Sequence, residues 1–136
     1  MNPDGSTLAA IASITAAFGT TVLIFRVQRE NDMRSKGERV WLPLADWLLL
    51  AATVASLLLV LVPISVGYTT RISAAASAAA SVCVAGYIPS ILAHYRIVLG
   101  TRRSGPRDNP EPLELAWVVI TSLAALGVAV FAVVRA

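Results

Sequence analysis

Four ionisable residues of this chain fall where apolar stretches meet charged ones: Asp46, His94, Arg96 and Glu114. Beside lipid, each needs an opposite charge or a hydrogen bond, because an uncompensated charge there is costly. Asp46 with Arg96, and His94 with Glu114, are the pairs this need suggests. Such an interfacial cluster pins helix ends; a gate or an ion-binding ring is the functional alternative. Catalysis has little to stand on. His94 is the single histidine, with no nucleophile motif beside it and no metal-ligand set around it. Cys83 is the single cysteine, which excludes an intramolecular disulfide and reads as a small buried residue. No glycine-rich phosphate loop, paired-cysteine motif or haem-ligand pair is present. The expectation is a non-enzyme without cofactor or metal.

Two further polar rows stand out. Tyr87, Ser90 and His94 fall at i, i+3 and i+7, on one face of a helix, next to Pro89. A pocket beside a broken helix is where small transporters hold substrate. Ser73, Ser77 and Ser81 alternate with alanines in a stretch that contains no other residue type. That row either lines a narrow polar path or lets neighbouring helices approach closely.

These residues must be positioned by helices. The chain has 136 residues, of which 57% are hydrophobic and 14% charged, well below the charge content of soluble domains. Four apolar runs, residues 6–25, 47–66, 72–93 and 115–134, are each long enough to cross a bilayer. They are continuous rather than alternating, which excludes barrel strands. The expected fold is an all-α integral membrane protein, one domain over residues 1–136, with helices near 6–30, 44–66, 71–99 and 114–134. The stretch 71–99 belongs at the centre of the bundle, because Ser and Ala let backbones approach it from several sides. Small multidrug exporters are similar in length and helix count but carry a buried Glu in their first helix; the run 6–25 has no acid. No helix carries an ionisable group at its midpoint, which counts against proton coupling.

Net charge is +3, with 11 Lys and Arg. Arg26, Arg29, Arg34, Lys36 and Arg39 crowd the first loop; Arg96, Arg102, Arg103 and Arg107 crowd the third. This segregation is the positive-inside pattern, not a nucleic-acid footprint. It predicts two short basic cytoplasmic loops, both termini outside, and a multi-pass protein of the cell membrane. Positive charge follows the first apolar run rather than preceding it, so that run is expected to be an uncleaved helix. Arg102, Arg103 and Arg107 lie among glycines and prolines in a stiff loop that meets anionic lipid or a protein partner.

Smaller features complete the expectation. Ser6, Ser13 and Thr20 recur every seven residues with alanines between them, a seam for close packing. Trp41, Trp47 and Trp117 mark one membrane interface. Arg26 is placed to snorkel to headgroups. Pro63 and Pro89 each remove a helix hydrogen bond and are expected to bend their helices. Three functions fit. The first is a homo-oligomer that forms a pore or channel or perturbs the bilayer. The second is a non-catalytic accessory subunit docked to a larger membrane or cytoplasmic partner. The third is a small transporter.

Overall fold

The computed structural model describes residues 4–37, 43–95 and 112–135. They form four membrane-length helices in one bundle: α1 (Gly5–Ser35), α2 (Ala45–Ser65), α3 (Arg71–His94) and α4 (Pro112–Arg135). No strand occurs among the described residues. All four helices are long and apolar enough to span a bilayer, and the protein is a multi-pass membrane protein. The expected sites Arg96, Arg102, Arg103 and Arg107, and Trp41, lie outside the described residues.

Helix ends follow from local chemistry. Asp4 caps α1 by accepting from the Ser6 amide at 3.4 Å and from the Ser6 hydroxyl. Those bonds hold its carboxyl below the usual value. At the other end α1 runs to Ser35, beyond the end near residue 30 expected from the sequence. The charged extension keeps its helical pairing through Arg26 and Glu30, and it stops where Gly37 supplies φ +73°. Gly67 ends α2 in the same left-handed conformation. There the Tyr68 amide donates to the Pro63 carbonyl at 2.9 Å and the Gly67 amide to Ile64 at 3.0 Å, which closes a Schellman motif. Pro112, assigned by sequence to the loop, is instead the first residue of α4, where its missing N–H costs nothing.

The two prolines act differently from one another. Before Pro63, residues Ser56–Leu61 form a π-helical turn, and the Val62 amide reaches back five residues to the Leu57 carbonyl. The extra residue in the turn reroutes the ladder around the proline's missing donor. At Pro89, α3 continues without interruption to His94. Ser90 Oγ donates to the Gly86 carbonyl at 2.7 Å, so a side chain bonds the backbone in the turn around the proline.

α3 packs against each of the other three helices, as its small residues require. Ala80 and Cys83 meet Leu48 and Ala52 of α2 and Ala125 of α4. Ala76 meets Leu8 and Ala12 of α1 and Val60 of α2. Two glycines set the closest approaches. A Cβ at Gly86 would overlap the side chain of Thr121 on α4, and one at Gly19 would overlap Thr53 on α2. α1 presents Leu8, Ala12, Thr15, Ala16 and Gly19 to the bundle. Its Ser6, Ser13 and Thr20 are exposed, so the expected seam is not the one the bundle uses.

Gly86→Ala is expected to lower stability in detergent by about 1–3 kcal/mol through overpacking against Thr121. Gly127→Ala, where a Cβ meets nothing within 4 Å, should leave stability unchanged or raise it by up to about 1 kcal/mol. Denaturant titration followed by circular dichroism compares the two; an equal loss in both would contradict the close α3–α4 contact.

Candidate functional site

Polar chemistry concentrates at the end of the bundle where α1 and α3 finish and α2 and α4 begin. Glu114, in the first turn of α4, is 1% exposed and uses both carboxylate oxygens. Oε1 accepts from the Ala45 amide at 3.0 Å, and Oε2 lies 2.8 Å from His94 Nδ1. The Ala45 contact has a local cause. α2 begins after Leu44, which has no side chain able to cap, so its first amides need an acceptor from elsewhere. Glu114 supplies one from a different helix, and its negative charge suits the positive end of the α2 dipole.

A second group lies beside it. Arg26 of α1 is 9% exposed, and its Nε donates to Asp46 Oδ2 at 3.3 Å. Its Nη2 lies 3.3 Å from Glu30 Oε1, and its Nη1 donates to the Tyr95 hydroxyl. The Tyr95 ring is covered by the Arg29 guanidinium, 5.1 Å from its centroid, and meets His94 edge-on. Asp46 directly follows Ala45, whose amide Glu114 accepts from, so the two groups adjoin at the start of α2.

The structure thus brings Asp46, His94 and Glu114 to one level. It gives Asp46 the partner Arg26, where sequence reading paired it with Arg96. Arg26 was expected to snorkel outward; its guanidinium instead meets Asp46 on α2 and Tyr95, the residue that caps the end of α3. Tyr95 and Glu30 escaped sequence reading altogether. Glu30 was visible as the i+4 partner of Arg26, whereas Tyr95 carried no signal beyond its adjacency to His94.

The other expected rows divide. Tyr87, Ser90 and His94 are all buried, with Tyr87 packed on Ala45 and Leu49. They fill the bundle rather than line a chamber: Ser90 is spent on its own helix and His94 on Glu114. Ser73 and Ser77 are 0% and 3% exposed, whereas Ser81 is exposed and donates to the Ser77 carbonyl at 2.9 Å. Ser73 bonds the α3 cap residue Thr70. The row does not line one path. Residues four apart on a helix drift by about 40° per step, so Ser81 has rotated away from the face that Ser73 occupies.

Against the Arg26 side of this cluster, an open groove of about 630 Å³ lies between α1 and α2. Leu23, Val27, Pro43, Trp47 and Leu50 give it apolar walls; Arg26, Glu30, Arg34 and Asp46 give it a charged rim. Among the described residues, no group of three or more His, Cys, Asp or Glu side chains converges to hold a metal ion. No protein-family model matches the chain, and neither does any curated protein or solved structure.

Arg26→Leu is expected to cost about 3 kcal/mol, because it strands Asp46 and Glu30 without their cation. Arg29→Leu, which loses only a contact with the Tyr95 ring, should cost under about 1 kcal/mol. Chemical unfolding of the two variants in mixed micelles measures the difference; equal costs would show that Arg26 is not the buried partner.

Proposed function

We propose that this protein is a non-catalytic, self-assembling protein of the cell membrane whose first helix forms the seam between copies. The observation that carries this reading is the outer face of α1. Ser6, Ala10, Ser13, Ala17 and Thr20 are all exposed and repeat at alternating spacings of four and three. That repeat is the one two helices need to wrap around each other, and small residues at it let their backbones approach closely. The bundle satisfies its own packing with the opposite face of α1, so this row remains available to a second chain.

The same reading relocates any conducting path. Ser73 and Ser77 are closed inside a single bundle, so ions or small solutes in an assembly would pass between copies. The basic segments after α1 and α3 support an orientation with both termini outside and the Arg26–Glu114 end at the cytoplasmic face. Channel activity or bilayer perturbation is then a property of the oligomer, not of one chain.

Native mass spectrometry of the protein expressed alone and extracted into nanodiscs tests this. The expected result is a defined oligomer that falls to a monomer when Ala10, Ser13 and Ala17 are all changed to Leu, with helix content unchanged. A wild-type monomer, or a complex found only with a second polypeptide, would contradict self-assembly and favour an accessory subunit.

A further inference from the structure

The repeat on the outer face of α1 does not stop with the apolar run. Its alternating spacing of four and three goes on from Thr20 through Ile24, Val27, Asn31 and Arg34, and every position from Ser6 to Arg34 along this row is exposed. The added positions are not small: Ile24 is 52% exposed and Val27 60%. In the charged segment 26–35, Arg29 and Asp32 fall off the row. Val27, the one branched aliphatic residue there, falls on it, and so does Asn31, uncharged between Glu30 and Asp32. A helix surrounded only by water has no need of that register.

The groove supplies a second, independent observation. A seven-residue repeat drifts by about 20° per heptad around a straight α-helix, so between Ser6 and Arg34 the row turns by roughly 80°. It starts on the side away from Ala12 and Gly19 and arrives beside α2. The α1–α2 groove opens where it arrives: Val27, Asn31 and Arg34 line it from α1, and Trp47 and Leu50, both exposed, line it from α2. Row and groove are one continuous surface. We infer that this surface seats the α1 helix of a second copy of the chain, side by side and parallel, so that the seam joins copies two at a time. The inference rests on the self-assembly reading above and extends it beyond the apolar run.

A second copy fits for three reasons. It brings the matching repeat by construction, and insertion in the same orientation makes the two helices parallel. Two-fold symmetry places each α1 in the groove of the other. Ile24 and Val27 then meet their counterparts, and the two Asn31 amides face and bond each other, a polar layer that fixes register and favours two strands. Arg29 and Asp32 stay on the side away from the seam. Arg34, at the last position of the row, lies one residue before the end of α1, so its long stem carries the guanidinium out to water.

Cysteine crosslinking of the full chain in proteoliposomes tests this. The buried native cysteine is removed by Cys83→Ala, and one cysteine is added at a time. Ile24→Cys, Val27→Cys and Asn31→Cys lie on the row; Phe25→Cys, Arg29→Cys and Asp32→Cys lie off it. Oxidation should give about fivefold more covalent dimer at the row positions, because a disulfide needs close approach of its two Cβ atoms. Asn31→Asp sets like charges face to face and should lower the dimer fraction in native mass spectrometry about fivefold, whereas Asp32→Asn should leave it unchanged. Equal yields at all six positions, or yields that peak off the row, would overturn the inference while self-assembly stands through another face. A dimer indifferent to Asn31→Asp would overturn it too. A wild-type monomer in native mass spectrometry would overturn both readings.

Discussion

One carboxylate holds the charged end of the bundle together. Glu114 belongs to α4, caps the amide of Ala45 on α2 and pairs with His94 on α3. Next to it, Arg26 carries α1 to Asp46 on α2 and to Tyr95 beyond α3. The contacts close a circuit through all four helices. In lipid this matters more than apolar burial, because hydrocarbon gives helices no hydrophobic reason to associate. The circuit also fixes register. Glu114 can reach both partners only if α2 begins and α3 ends at its own level.

The remainder of the bundle is held by proximity rather than by large side chains. Alanines and serines dominate the interior face of α3, and Gly19 and Gly86 bring their helices onto Thr53 and Thr121. Many large residues, among them Ile14, Leu58, Leu123 and Phe131, point outward. This inversion of the soluble pattern is what a lipid solvent demands: bulky groups meet acyl chains, and small ones let backbones pack. The π-helical turn before Pro63 belongs to the same economy. It lets α2 keep its length across the membrane despite a residue that cannot donate.

Number and order of the helices were legible in the sequence, because a continuous apolar run of membrane length has few alternatives. The central place of α3 was legible too, from its Ser and Ala composition. Rotation about each helix axis was not. Small residues occur on more than one side of the membrane-spanning part of α1, so its pattern does not decide between the face carrying Ala12 and Gly19 and the face carrying Ser6 and Ser13. The heptad spacing of Ser6, Ser13 and Thr20 pointed to packing, and the bundle turned that face outward. Partner choice failed for a related reason. Arg26 and Asp46 are twenty residues apart on different helices, and only the rotation of α1 decides that they meet. Helix ends shifted because caps override apolar runs: Gly37 and Pro112, not hydropathy, set where α1 stops and α4 starts.

A double-mutant cycle between His94→Ala and Glu114→Ala, read by unfolding in mixed micelles, tests the central place of the Glu114 carboxylate most directly. The structure predicts a coupling of about 1–3 kcal/mol, as for buried partners in direct contact. Costs that add to within about 0.5 kcal/mol would mean that the two side chains act independently, and the circuit joining the four helices would then be broken at its centre.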